Sequence, residues 1–223
     1  MNRKLVGACF ALTVLATAPL AGMAIGAPTE WDGLAKVPAK RAHAAYLLPG
    51  ASFSGYTKVM LDPTEVAFRK NWLRDYNSAT RQPGARISES QAQAKLSEMR
   101  TAADQIFAKS FAGAGYQLVN SPGPDILRIR VFIINLRINA PYVMTAGRSR
   151  TYAPEAGSAT LVVEARDAES GQLLGRAVDA RVAGDVGGYM RTSVSNRADF
   201  ERLLASWAKD AAAGLAELKA DAR

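Results

Sequence analysis

Apolar positions along this chain recur with two periods, and each period predicts a different element. Between Ser88 and Phe111, the residues Leu96, Met99, Ala103, Ile106, Phe107 and Phe111 follow mainly at spacings of three and four, which gathers them on one face of a helix. Ser88 and Gln91 match the capping box that satisfies unpaired N–H groups at a helix start, and Gly113 and Gly115 supply the end. A second stripe, Phe200, Leu203, Leu204, Trp207, Ala211, Leu215 and Leu218, predicts a closing helix from Asn196 or Ala198 onward. Elsewhere the period is two. From Asp125 to Asn139, Leu127, Ile129, Val131 and Ile133 share one phase, while Phe132, Ile134, Leu136 and Ile138 hold the other. A strand changes phase only through a bulge or by being covered on both sides, so a central strand kinked near Ile133 is expected. Ala159 to Asp167 and Gln172 to Val182, joined by Ala168-Glu169-Ser170-Gly171, read as a hairpin with Leu161, Val163 and Ala165 inward. Tyr56 to Leu61 reads as a strand stopped at Asp62-Pro63, and Thr64 to Tyr76 as a short helix or irregular segment. The fold class predicted is α+β: a two-layer sandwich of a mostly antiparallel four- to five-stranded sheet with two amphipathic helices.

The first 27 residues have a different character. Arg3 and Lys4 precede an apolar run from Leu5 to about Leu20, followed by small residues up to Ala24 or Ala27. This is the layout of a secretory signal peptide. Pro19, Gly22 and Gly26 break the run before the roughly 20 apolar residues that a membrane-spanning helix needs. Two alternatives stay open: retention as a membrane anchor, and lipid attachment at Cys9 in Val6-Gly7-Ala8-Cys9. Against the second, most of the apolar run follows Cys9 instead of preceding it. The organisation expected is therefore a signal peptide over 1–27, an N-terminal arm over 28–55 that is rich in Pro, Gly, Ala and Lys, and a single α+β domain over 56–223.

Export changes what the composition means. Cys9, the only cysteine, leaves with the signal, so the mature chain has neither disulfide nor thiol chemistry. The formal net charge of +8 loses Arg3 and Lys4 and leaves a moderately basic protein suited to anionic lipid head groups or cell-wall polymers. Nucleic acid is not expected as a partner in a periplasmic or exported setting. His43, the only histidine, has no His, Cys or carboxylate at ligand spacing, so neither metal nor other cofactor is expected. There is no G-x-S-x-G elbow. Gly184-Asp185-Val186-Gly187-Gly188 lacks the Lys and Ser/Thr of a phosphate loop and reads as a connector. Arg148 and Arg150, on the long loop from Asn139 to Gly157, are the anion-contact candidates, because two guanidinium groups can grip a carboxylate or phosphate in paired hydrogen bonds. Two acid pairs can be nominated for glycan chemistry, Asp62 with Glu65 and Glu164 with Asp179. Arg166, Arg176 and Arg181 flank the second pair and predict ion pairs instead. Arg128, Arg130 and Arg137 on the long strand are expected to be solvated.

Several segments also carry a resemblance. Tyr56-Thr57-Lys58-Val59-Met60-Leu61-Asp62-Pro63, Gly123-Pro124-Asp125-Ile126-Leu127, Gly157 to Asp167 with Ser170-Gly171, and Arg176-Ala177-Val178-Asp179 resemble the bacterial family known as domain of unknown function 3313, from about Trp31 to the last helix. The resemblance implies an exported envelope protein, in many members a lipoprotein, with no established activity and no functional residues to carry over. The function expected is that of a non-catalytic cell-envelope protein that binds an envelope protein or cell-wall polymer, touching the membrane only if its N-terminus is retained or lipidated. The alternative is a carboxylate-dependent cell-wall glycan hydrolase.

Overall fold

The computed structural model describes residues 28–80, 83–139, 151–153, 155–184, 189–191 and 193–221. In chain order the elements are β1 (Glu30–Trp31), β2 (Leu34–Val37), β3 (Ala44–Leu47), β4 (Lys58–Leu61), β5 (Glu65–Phe68), α1 (Trp72–Ala79), a 3-10 turn (Pro83–Ala85), α2 (Glu89–Gly113), β6 (Gln117–Val119), β7 (Ile126–Ile138), β8 (Thr151–Ala153), β9 (Gly157–Asp167), β10 (Leu173–Ala183), β11 (Tyr189–Arg191) and α3 (Ser193–Asp221). Nine strands form one sheet in the order β1-β2-β3-β10-β9-β7-β4-β6, with β5 also paired to β7, and β8 pairs with β11 separately.

The α+β class stands, but the sheet expected from the sequence does not. Among the described residues the main sheet has nine strands and is mixed, and there are three helices. Two causes account for the difference. The segment expected as an arm, 28–55, carries β1, β2 and β3, and β3 pairs antiparallel with β10. Furthermore, β4, β5 and β6 belong to parallel pairings, β4 with β6 and both β4 and β5 with β7. Parallel neighbours need a long crossover, and α2 lies within the connection that supplies it. Asp62-Pro63 does stop β4, as expected, but the chain resumes as β5 farther along the same side of β7.

The expected phase change in β7 is a bulge at Asn135, two residues past the predicted kink. Asn135 is left-handed at φ 53, a conformation asparagine tolerates better than most residues. Three residues of β7, Ile134 to Arg137, advance against two of β9, Thr160 to Ser158, and the register with β5 slips at the same place. Leu136 and Ile138 thereby rejoin the face of Leu127, Ile129, Val131 and Ile133, and all six are buried. That face meets α2 through Leu96, Ala103, Phe107 and Phe111, and α3 through Phe200, Leu203, Leu204, Trp207 and Leu215. The α2 cap is as read from the sequence: Gln91 N–H donates to Ser88 Oγ at 3.2 Å, and Ser88 N–H to Gln91 Oε1 at 2.8 Å. α3 starts a few residues earlier than the apolar stripe predicts, at Ser193.

Gly157, paired with Ile138 just beyond the bulge, has no room for a side chain. A Cβ there would lie 1.9 Å from the Arg137 carbonyl oxygen and 2.9 Å from Phe200 Cζ. Gly157→Ala is expected to cost about 3 kcal/mol, the upper part of the usual overpacking range, measured as a lower urea midpoint at unchanged slope.

Candidate functional site

Strand register divides the charged side chains between the two faces of the sheet. Arg176 sits opposite Glu164 on β9 and Tyr46 on β3, on the face turned away from α2 and α3. Arg176 Nη2 donates to Glu164 Oε1 at 2.7 Å, and Arg166 Nη2 donates to Glu164 Oε2 at 2.8 Å. The first two strands close over this pair. Asp32 and Gly33, at φ 53 and 78, form the two-residue turn that joins β1 to β2. That turn brings the Asp32 carboxylate to 2.8 Å from Arg176 Nη1. The Trp31 ring covers the Arg176 guanidinium at 4.2 Å and meets Tyr46 edge-on at 5.7 Å. Burial pushes the Glu164 carboxyl up, but hydrogen bonds and charge from Arg176 and Arg166 outweigh it and hold the group below its ordinary range.

Similar pairing recurs along β7. Arg128 Nη2 lies 2.8 Å from Asp62, and Arg130 lies 3.6 Å from Asp62 and 2.9 Å from Glu65. Arg137 lies 3.1 Å from Glu155. These arginines are half-exposed, so they meet solvent as expected, and each is also paired with a carboxylate.

Asp179, three residues beyond Arg176 on β10, points to the opposite face. Its Oδ2 accepts a 2.8 Å hydrogen bond from Trp207 Nε1 and lies 2.5 Å from Arg181 Nε. The His43 backbone N–H donates to Asp179 Oδ1 at 3.2 Å, and the His43 ring also contacts it. His43 therefore has a carboxylate partner that spacing along the chain cannot reveal. Arg181 goes on to donate to Ser206 Oγ at 2.8 Å and Asp210 Oδ2 at 2.9 Å, and Arg41 donates to Glu217 Oε1 at 2.8 Å. Together these contacts tie β10 and the β2–β3 connection to α3. Ser206 and Lys209 spell an S-x-x-K pair, but both sit mid-helix and Ser206 Oγ is engaged by Arg181. Glu164 and Asp179 do not converge, because the sheet lies between them.

Beneath the C-terminal half of α3 runs an apolar groove of about 240 Å³. Its lining combines small sheet residues, Ala45, Ala165, Gly175 and Ala177, with larger ones, Leu47, Phe53, Leu161 and Val163, under Trp207, Ala211, Gly214, Leu215 and Leu218 of α3. Two glycines in this lining differ physically. A Cβ on Gly175 would come within 2.9 Å of Leu47 Cδ2, so the tip of Leu47 would have to shift. A Cβ on Gly214 would meet nothing within 4 Å, yet glycine inside a helix costs about 1 kcal/mol relative to alanine. The periodicity of α3 and of the hairpin marked residues around this groove but not the groove itself, since periodicity tells which side chains face inward and not whether they fill the space between sheet and helix.

The anion-contact candidates Arg148 and Arg150 lie outside the described residues, as do positions 185–188 of the glycine-rich connector. Among the described residues no three His, Cys, Asp or Glu side chains group as a metal site. No helix among them is long and apolar enough to cross a membrane.

Glu164→Ala would leave the buried Arg176 charge short of its closest partner and is expected to cost about 3 kcal/mol. The pH dependence follows from the same pair. A carboxyl held below its unfolded value stabilises the fold above that value, near 4.5 for glutamate, and loses this contribution as pH falls through its folded value. The thermal midpoint should therefore drop below pH 4.5, and the gap between wild type and Glu164→Gln should narrow over the same window.

Among solved structures, the chain is similar to the PelC dodecamer from Paraburkholderia phytofirmans at 13% identity and TM-score 0.32, covering 70% of this chain and 91% of that one. It is also similar to protein XCC0632 from Xanthomonas campestris, of the DUF330 family, at 11% identity and TM-score 0.37, covering 70% and 81%. No curated protein matches. A family model described as "Protein of unknown function (DUF3313)" matches residues 26–211. With most of its length matched, and with the motif-bearing segments built into one sheet, the chain belongs to this family of unknown function.

Proposed function

We propose that this is an exported bacterial cell-envelope protein that acts by binding an envelope protein or cell-wall polymer and not by catalysis. One observation carries this reading: the acids best placed by sequence for proton transfer, Asp62, Glu65, Glu164 and Asp179, each lie against an arginine. A general acid needs its pKa raised toward the working pH, whereas Glu164 is held low by Arg176 and Arg166. A glycan hydrolase needs two carboxyl groups flanking one bond, and Glu164 and Asp179 point to opposite faces of the sheet. Support for export comes from the leader itself, with Arg3 and Lys4 before the apolar run and small residues up to Ala24 or Ala27.

Two measurements test the proposal. The protein recovered from bacterial cells should begin just after Ala24 or Ala27 and fractionate with the periplasm or envelope; intact Met1 on wholly cytosolic protein would overturn export. Purified mature protein should cross-link to an envelope component or sediment with cell-wall sacculi without releasing fragments. Fragment release that disappears in Glu164→Gln or Asp179→Asn would establish the hydrolase instead.

A further inference from the structure

We infer that the groove between α3 and the sheet holds one extended aliphatic chain, such as the acyl chain of a lipid or fatty acid. The inference rests on the binding reading above and names a ligand class for it. Three observations on the groove converge.

The first is shape. Its lining on α3 runs from Trp207 to Leu218, about 16 Å of helix at 1.5 Å per residue. A groove of about 240 Å³ along that length is elongated. An elongated apolar groove suits methylene groups laid end to end.

The second is chemistry. The walls are mainly apolar, with Phe53, Phe111, Leu161, Val163 and Leu215 beside the alanines and glycines, and the polar groups Asp179 and Trp207 Nε1 satisfy each other at 2.8 Å. At the opening, Lys40 and Arg41 on the β2–β3 connection face Asp210 and Glu217 on α3, with Arg41 already bonded to Glu217 at 2.8 Å and 3.8 Å from Asp210. The charges at the mouth balance, so recognition falls on the chain rather than on its head group.

The third is Gly214. A Cβ at this position would meet nothing within 4 Å, so contact at the Cβ gives no reason for glycine, and the helix is weakened by it. A glycine in the roof makes sense if its missing side chain leaves room for a ligand.

The test is titration of the mature wild-type chain with dansyl-undecanoic acid, read by energy transfer from tryptophan, alongside Gly214→Leu and Gly214→Ala. Saturable uptake at one site per chain is expected. Gly214→Leu should melt at or above the wild-type temperature and bind at least about tenfold more weakly. No uptake by the wild type overturns the inference, as does undiminished uptake by Gly214→Leu with an unchanged circular dichroism spectrum. Should Gly214→Leu fail to fold, displacement decides: loss of bound probe on adding decanoate or phosphatidylglycerol vesicles supports the inference, and retention against both overturns it. Stronger displacement by decanoate names the free acid as the source, and stronger displacement by vesicles the lipid-borne chain. Envelope cross-linking on the same preparation keeps the two readings apart, since cross-linking without probe uptake removes the aliphatic ligand while the binding reading stands.

Discussion

A single extra residue in β7 holds this architecture together. Without the left-handed step at Asn135, a period-two strand would turn Leu136 and Ile138 away from the face that carries Leu127 to Ile133, and the apolar floor under the helices would end halfway along. With that step, both neighbours slip in concert, β9 on one side and β5 on the other. Continuity of the floor lets α2 and α3 share one core. It also forces the chain past Gly157 at a distance no side chain would survive. The bulge and the glycine are two parts of one solution.

The two faces then take different tasks. Under the helices the sheet is apolar, with Asp179 as the one deeply buried carboxylate on β10, tied to α3 by Trp207 and steadied by Arg181. On the other face, guanidinium and carboxylate groups interlock along β7, β9 and β10 and are roofed at one end by Trp31. Because a residue three places along a strand always faces the other way, this separation is complete within the span from Arg176 to Asp179. Charges on one face stitch neighbouring strands together, and charges on the other stitch the sheet to its last helix.

Much of this was legible in the residues. The capping box at Ser88, the hairpin around Gly171, the break at Asp62-Pro63 and the double phase of β7 are local patterns with local causes, and each has its counterpart in the fold. What escaped depends on partners far along the chain, or on strands and gaps that periodicity does not register. β1 to β3 are strands of two to four residues in an alanine- and lysine-rich segment, although Asp32-Gly33 between Trp31 and Leu34 is a hairpin signal in its own right. The parallel pairing of β4 and β5 with β7 closes only through the crossover that includes α2. The His43 contact with Asp179 spans 136 positions. The groove is a gap between inward-facing residues of the sheet and of α3, and hydrophobic periodicity finds such residues without telling whether they touch.

The strands at the margins of the large sheet have a consequence of their own. β1 has two residues, β6 three and β5 four, so each offers only a brief stretch of unpaired main-chain N–H and C=O. A foreign strand needs a long straight ladder to add itself to a sheet, and stubby borders are among the devices that discourage it. Among the described residues, the borders of the large sheet are therefore poor templates for an added strand.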